Sequence, residues 1–207
     1  MSAFGRIVAV LFLTTLSACA SDGVSALGSA PAWLFRNNSA PAENFVAIRG
    51  GPAKPPSGYL GFCARFADQC TAPEGAPRAV NLTDDVWQSL QAVNTAYNEA
   101  IVAEEDSDHY GSAEYWTIPT DGHGDCEDYV VAKRQALIQL GLPEPALRIA
   151  VVFTPNFVRH AVLTVVTDKG NYVLDNLRNE IVGWDETDYT FVERQDPASP
   201  SGWVSLE

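Results

Sequence analysis

The chain has 207 residues, of which 46% are hydrophobic and 19% charged, a composition that predicts one globular domain with a short additional segment. Its 13 lysines and arginines and 26 aspartates and glutamates give a formal net charge of −13 at pH 7. This charge argues against nucleic-acid binding, because a phosphate-binding surface needs a basic face. Four cysteines are too few for a disulfide scaffold, but they allow one bridge and thiols with other roles.

Residues 1–20 are typical of a secretory signal peptide. The single charge of Arg6 precedes an apolar run of about ten residues, well short of the roughly 20 that span a bilayer. The sequence LSAC ending at Cys19 resembles the lipobox of bacterial lipoproteins, in which the cysteine becomes the acylated first residue of the mature chain. The sequence ACA around Cys19 also fits ordinary signal cleavage, which would release a soluble periplasmic protein.

Both alternatives predict export to the periplasmic side of the cell envelope, which is an oxidising compartment. The lipobox predicts an anchor in the outer membrane through a lipid on Cys19, since Ala20 is not the aspartate associated with inner-membrane retention. On this interpretation, residues 1–19 are the signal peptide with its lipobox.

The rest of the chain divides into a tether and a domain. Residues 20–57 are rich in Ala, Ser, Gly and Pro, which predicts a flexible tether, and residues 58–207 are predicted to fold. Cys63 and Cys70 are seven positions apart, which suits a small loop disulfide in an exported protein. A metal site is the weaker interpretation, since no second Cys or His pair accompanies them.

The predicted elements of the domain run from helices to strands. Apolar residues at steps of three and four predict a helix over residues 83–104 with Thr83 as its N-cap. An acidic, solvated loop follows over residues 104–108, where the spacing and closing glutamate of an EF-hand are absent. A second helix is predicted over residues 127–140. Strands are predicted over residues 147–153, 158–167, 172–177 and 180–184, so the fold class is α+β with an antiparallel sheet.

Cys126 is the candidate nucleophile. It stands in the sequence GHGDCEDY, where a glycine-flanked turn leads directly into the second helix. The free N–H groups and positive dipole end of a helix stabilise an anion, so a thiol at this position is predicted to be acidified. A buried structural cysteine and a disulfide partner for Cys19 are the alternatives.

A cysteine nucleophile needs a base, and His160 is the best placed of the three histidines. His109 lies in the acidic loop and His123 in the turn before Cys126, where surface or turn roles are expected. His160 instead opens an apolar strand, a position suited to face a cleft.

Asp175, on the next strand, is the candidate group that orients His160. If Lys169 and Gly170 form a two-residue hairpin loop, position 164 faces Asp175. Asp175 then lies on the same side of the sheet as His160, but four residues further along. A shorter register would bring the two together, and a surface carboxylate at the end of a strand is the alternative.

Three motifs in order resemble the bacterial transglutaminase-like cysteine proteinases: GDCEDY around Cys126, RHAVL around His160 and VLDN around Asp175. The resemblance implies a papain-like fold and a cysteine peptidase in which Cys126 is the nucleophile, His160 the base and Asp175 the orienting group. The family includes periplasmic proteases that cut adhesins off the bacterial surface. A protein substrate in the cell envelope is therefore implied.

The resemblance also implies calcium, because carboxylates that flank the cysteine bind this ion in the adhesin-cleaving members. The matching positions are Asp125 and Glu127, with Asp128 adjacent. Carboxylate oxygens suit Ca²⁺, and a cation would offset the repulsion between these acids and a thiolate. The alternative is that Asp125 caps the helix while Glu127 and Asp128 are first-turn acids favoured by the helix dipole.

Two other functions are compatible with the sequence. A transglutaminase or amidase would use the same three residues for acyl transfer, with an amine in place of water in the transglutaminase. An envelope binding module that depends on calcium would keep the fold without the activity, although the intact set of three residues argues against it.

Overall fold

Four helices and nine strands make up the part of the chain that the computed structural model describes, residues 50–196 and 198–206. The helices are α1 (Ser57–Arg65), α2 (Asp84–Ala100), α3 (Asp106–His109) and α4 (Cys126–Gln139). The strands are β1 (Gly51–Ala53), β2 (Val102–Ala103), β3 (His123–Gly124), β4 (Leu147–Phe153), β5 (Arg159–Thr167), β6 (Gly170–Leu174), β7 (Val182–Gly183), β8 (Thr190–Asp196) and β9 (Ser199–Ser205). The predicted signal peptide, the lipobox and most of the predicted tether lie outside the described residues.

Seven strands form one antiparallel sheet in the order β1-β9-β8-β4-β5-β6-β7, and β2 pairs with β3 in a separate parallel ladder. The main apolar core lies between one face of this sheet and the helices. A smaller cluster covers the other face and consists of Ala150, Val152, Val162, Val173, Phe191 and Leu206. The predicted α+β class, with helices packed on an antiparallel sheet, is confirmed.

Helix α2 begins as its sequence predicts. The Thr83 side chain accepts a hydrogen bond of 3.2 Å from the Val86 amide, and Val86, Leu90 and Val93 are buried. The helix ends at Ala100, earlier than predicted, because the backbone turns to an extended conformation at Ile101. Residues 102–103 then pair with His123–Gly124 as β2 and β3, which brings the chain next to the start of α4.

Helix α4 is buried on nearly every side, because it packs against both α2 and β5. Among the packing residues predicted from the sequence, Val130, Ala132 and Leu137 are fully enclosed. Lys133 and Arg134 are buried as well, although their charge predicts a solvent-facing side. The helix therefore has no clear polar face, and its first residue is held firmly against the sheet.

The hairpin between β5 and β6 differs by one position from the predicted one. Thr167 pairs with Gly170, so Asp168 and Lys169 form the two-residue loop, and Thr164 pairs with Val173 instead of residue 175. Asp168 is fixed in this turn because its side chain accepts a 2.7 Å hydrogen bond from the Leu82 amide. Relative to the predicted register, residues after β6 lie two positions closer to the start of β5.

Three aromatic rings join α1 to the sheet. Tyr59 packs edge to face on Trp116 and on Trp203, with ring centroids 5.5 and 5.4 Å apart. Gly58 permits this contact, since a Cβ at this position would lie 2.2 Å from Cδ1 of Trp116. These contacts fix Trp116 at a position where it lines a cleft at the start of α4.

The folded region begins earlier than residue 58. Gly51–Ala53, inside the segment predicted as tether, forms β1 and pairs with the Trp203–Ser205 end of β9. This pairing uses backbone groups alone, so the Gly-Pro-Ala sequence carries no signal of it. No helix in the described ranges is both long and apolar enough to cross a membrane.

The disulfide between Cys63 and Cys70 is present, as predicted. It joins α1 to the following 3-10 turn, and Cys70 is buried in the main core.

Replacing both cysteines with serine should lower the free energy of unfolding by about 2–3 kcal/mol, the value for releasing a loop of this length in the unfolded chain. Urea denaturation of the double variant against the oxidised protein measures the loss. Free thiols at both positions, detected by mass spectrometry of unreduced peptides from exported protein, would contradict the prediction.

Candidate active site

A cleft of about 720 Å³ opens at the N-terminal end of α4. Its walls come from residues 103–105, the 154–158 connection between β4 and β5, the 176–178 segment after β6 and residues 188–189 before β8. Cys126 and His160 both line it, and so do the carboxylates of Asp125 and Glu127. The fold therefore brings the predicted nucleophile, the predicted base and both predicted metal ligands to one cavity.

Cys126 is the one free cysteine in the described ranges, and it is the first residue of α4. Its backbone N–H has no intrahelical acceptor because it belongs to the first turn. The thiol donates a 3.1 Å hydrogen bond to Oε2 of Glu127. Burial, followed by the charge of Glu127, raises the pKa of Cys126 well above its usual value, against a backbone hydrogen bond from Ala161. The pKa of the Cys126 thiol is therefore raised, whereas its position at the start of a helix predicts a lowered pKa.

His160 and Asp175 form a buried pair. Nε2 of His160 lies 2.8 Å from Oδ1 of Asp175, and the two side chains are 6% and 0% exposed. His160 and Asp175 lie on one face of the sheet, as predicted, and they also touch, because the observed hairpin register brings Asp175 closer to the start of β5. Bonding through Nε2 leaves Nδ1 of the imidazole for a second partner. In the described part of the chain no hydrogen bond joins the His160 ring to the Cys126 thiol, although both face the same cleft.

The Asp175 carboxylate is held by several donors. Besides the His160 ring, the Leu177 amide donates to Oδ1 at 3.0 Å and the Tyr189 hydroxyl donates to Oδ2 at 2.6 Å. Burial would raise the pKa of Asp175, but the His160 hydrogen bond and charge and these donors outweigh it, so the pKa lies below its usual value. Asp175 therefore stays ionised while fully enclosed, as an orienting carboxylate must.

Tyr189 contacts both His160 and Asp175, a position that the sequence does not reveal. Its ring packs edge to face on the His160 imidazole, with centroids 5.9 Å apart, while its hydroxyl holds Asp175. Burial, together with Asp175, raises the pKa of Tyr189 to about 12, so the hydroxyl remains a donor. Tyr189 precedes β8 and is distant from the other motifs in sequence, so no local pattern marks it.

Two asparagines of α2 fix the segment that carries Asp175. The Asn98 amide donates to the carbonyl oxygens of Asp175 and Arg178 at 2.9 and 3.0 Å, and the Asn94 amide donates to that of Asn179 at 3.0 Å. Asn94 in turn accepts a 2.8 Å hydrogen bond from Lys133 of α4. One polar network thus links the helix that begins with Cys126 to the segment that carries Asp175.

Buried carboxylates converge beside Cys126. Ligand atoms of Asp106, Asp125 and Asp128 lie within 4.8 Å of one another, and those of Asp125, Cys126 and Glu127 form a second such group. Asp106 and Asp128 are 2% and 0% exposed. One oxygen of each aspartate, Oδ1 of Asp106, Oδ1 of Asp125 and Oδ2 of Asp128, has no hydrogen-bond partner in the described region.

The electrostatics of this group favour a bound cation. Burial, followed mainly by neighbouring carboxylates, raises the pKa of Asp125 to about 6, that of Asp128 to about 8 and that of Glu127 to about 9. Three aspartate oxygens without partners are a donor set that suits a hard divalent ion such as Ca²⁺. Asp125 occupies the N-cap position of α4, yet its side chain makes no capping hydrogen bond. The alternative that the Asp125 side chain serves only to cap the helix is therefore not supported.

Asp106 corrects one sequence-based expectation. The acidic segment over residues 104–108 was predicted to be solvated, but Asp106 starts α3, is buried and accepts a hydrogen bond from the Tyr115 amide. Gly124 makes room for the group, since a Cβ there would lie 2.7 Å from Oδ2 of Asp128. A residue 19 positions before Asp125 cannot be assigned to its neighbourhood by local spacing, which is why the sequence did not single it out.

Comparison with known proteins identifies the family of this chain. Residues 49–207 match the family model described as "Bacterial transglutaminase-like cysteine proteinase BTLCP", and the chain belongs to this family. Calcium-bound LapG of Legionella pneumophila is similar, with 26% identity and a TM-score of 0.51 over 59% of this chain and 70% of that chain. No curated protein matches the chain.

Two further solved structures are similar, the EGTA-treated form and another structure of the same LapG, each with 28% identity and a TM-score of 0.48 over 54% of this chain. The matches span 63% and 64% of those chains, less than two thirds of their length.

Changing Tyr189 to Phe should slow alkylation of Cys126 by iodoacetamide about fivefold at neutral pH. Loss of the hydroxyl removes one hydrogen bond to a charged group and leaves Asp175, and through it the His160 ring, less restrained. Tyr172→Phe is the matched control, since Tyr172 packs on Trp87 away from the cleft. Equal alkylation rates in Tyr189→Phe and Tyr172→Phe across pH 5–9 would show that the hydroxyl has no positioning role.

Proposed function

We propose that the protein is a peptidase of the cell envelope in which Cys126, His160 and Asp175 hydrolyse peptide bonds. The proposal is carried by one observation: His160, paired with buried Asp175, lines the same cleft as the free thiol of Cys126. Membership of a cysteine proteinase family supports the same chemistry.

The reaction follows from the positions of these groups. His160, kept in orientation by Asp175, takes the proton of the Cys126 thiol, and the sulfur attacks the carbonyl carbon of the substrate peptide. The backbone N–H of Cys126, free of an intrahelical acceptor, donates to the oxyanion of the tetrahedral intermediate. His160 then protonates the leaving amine as the C–N bond breaks, which leaves a thioester on Cys126. Water, deprotonated by His160, attacks the thioester, and the carboxylic acid leaves as the thiol is restored.

We further propose that Asp106, Asp125 and Asp128 bind Ca²⁺, with Glu127 adjacent to the ion. The support is the three buried oxygens without partners, together with similarity to a LapG structure that is calcium-bound. Glu127 is the less suitable ligand of the predicted pair, because its Oε2 already accepts the thiol hydrogen bond. A bound cation would neutralise the carboxylates whose charge raises the pKa of Cys126.

The substrate and the location are proposed from the sequence. An exported protein of the transglutaminase-like family that is anchored by a lipid on Cys19 would act on a protein at the periplasmic side of the envelope. A soluble periplasmic form without the lipid is the alternative.

Cys126→Ala and His160→Ala should each lower turnover by about 10⁴-fold or more, and Asp175→Asn should be about a hundredfold milder, because an amide replaces part of the orienting contact. Proteomics of shed and retained envelope proteins identifies substrates through new termini that are lost in Cys126→Ala cells. Asp185→Asn, at an exposed position, is the control for Asp175→Asn. Cleavage that survives Cys126→Ala would remove the mechanism, and amine incorporation at glutamine in place of cleavage would identify a transglutaminase.

Calcium at about 100 times its Kd should stabilise the protein by about 2.7 kcal/mol, seen as a rise in Tm over EGTA-treated protein. Asp106→Asn and Asp128→Asn should abolish this shift, and Glu127→Gln should reduce it less. Asp108→Asn should keep it, since Asp108 is exposed two residues after Asp106. A Tm that is the same in calcium and in EGTA would leave these aspartates without a metal.

Inhibition of lipoprotein signal cleavage with globomycin should cause the precursor to accumulate, and mass spectrometry should find the mature chain acylated on Cys19. Cys19→Ala should prevent both results. A soluble mature chain that begins after Ala20 in untreated cells would establish ordinary cleavage instead.

A further inference from the structure

Three exposed apolar side chains lie in or next to the lining of the cleft. The described part of the chain has five large hydrophobic residues that are exposed, and three of them are Phe157, Val158 and Leu177, at 88%, 60% and 62% exposure. Val158 and Leu177 line the cleft that holds Cys126, and Phe157 directly precedes Val158. These three residues are called the apolar rim.

Phe157 is held in an unfavourable conformation. Its φ of 60° is the one positive value among the non-glycine residues that the structure describes. A bulky side chain is rare in this left-handed region, because its Cβ approaches the backbone. The turn is nevertheless closed around it by hydrogen bonds from the Phe157 amide to the Thr154 carbonyl, 2.8 Å, and from the Thr154 amide to the Val158 carbonyl, 3.0 Å.

Neither the strain nor the exposure of Phe157 contributes to folding. The ring has almost no contact with the chain, and glycine would adopt the same backbone conformation at lower cost. Strain that is kept together with an exposed aromatic ring points to a contact outside the chain. The rim is continuous with the cleft, since Val158 next to Phe157 lines it and His160 follows Phe157 by three residues, a reach of at most about 11 Å.

We propose that the apolar rim binds a large aliphatic or aromatic side chain of the polypeptide substrate, about three residues from the bond that Cys126 attacks. This inference rests on the proposed function and adds the class of sequence that the peptidase selects. The substrate segment lies extended from the thiol across Val158 and Leu177 to Phe157, and its apolar side chain covers the phenyl ring. Burial of one such side chain against the rim supplies binding energy that does not depend on the reacting groups.

The test is the cleavage profile of a peptide library made by digesting a proteome, with cut sites identified by mass spectrometry. The full-length protein in calcium should enrich Leu, Ile, Val and Phe at one position two to four residues from the cleaved bond. Phe157→Ser and Val158→Ser should lose this enrichment and raise KM for the best peptide about tenfold, with kcat within about twofold, the loss expected for one exposed contact. Leu60→Ser, an exposed apolar residue outside the cleft lining, is the matched control and should keep both.

Phe157→Gly separates recognition from folding. It should lose the enrichment as Phe157→Ser does, while its Tm equals or exceeds that of the wild type, because glycine relieves the left-handed conformation. An unchanged cleavage profile in Phe157→Ser and Val158→Ser would overturn the proposal. So would loss of self-association, or of binding to phosphatidylglycerol vesicles, in these variants with the profile intact.

Failure of the proposed function gives a different result. If the wild type cleaves no peptide, the rim is judged by binding alone: immobilised Cys126→Ala protein should retain apolar peptides from the same library. Adding Phe157→Ser to that variant should abolish the retention, and equal retention by both proteins would overturn the rim as a substrate site.

Discussion

Burial of the N-terminal end of α4 is the constraint on which the site depends. Because the helix is enclosed between α2 and the sheet, its first residues are largely shielded from bulk solvent, and the carboxylates on either side of Cys126 lose much of the water that would stabilise their charges. The raised pKa values of Asp125, Glu127 and Asp128 are the direct result. Burial, followed by the charges of Glu127 and Asp125, also raises the pKa of the Cys126 thiol, so a cation bound beside these carboxylates, as proposed above, would act on the nucleophile as well.

The opposite requirement applies to Asp175. It is as deeply buried as Asp128, but its carboxylate accepts hydrogen bonds from several donors, so its pKa is lowered where that of Asp128 is raised. The difference lies in the partners: Asp175 receives His160, Leu177 and Tyr189, whereas the three aspartates near α4 each keep an oxygen with none in the described region. Buried carboxylates in this fold thus differ: Asp175 is stabilised as an anion, whereas Asp106 and Asp128 are candidate metal ligands.

The features that the sequence predicts are local, and those that it misses are long-range. Cys126 at a helix start, the Thr83 cap and the strand over residues 147–153 are encoded by adjacent residues and by periodicity. The parity of His160 and Asp175 follows from strand alternation, but their contact needed a register that is set by Asp168 bonding to Leu82, far away in sequence. Asp106 and Tyr189 reach the site through tertiary packing, and no local sequence pattern predicts either residue.

The short strand β1 has a mechanical consequence for a chain that is pulled from its N-terminus. Three residues pair with β9 at the edge of the sheet, and Pro56, three residues after the strand, lines the cleft. Strand β5, which carries His160, and strand β6, which directly precedes Asp175, are at least four places away from β1 in the sheet. Tension on the N-terminal segment would therefore load the β1–β9 ladder first. This ladder of three residue pairs would break before the force reaches the strands beside the cleft.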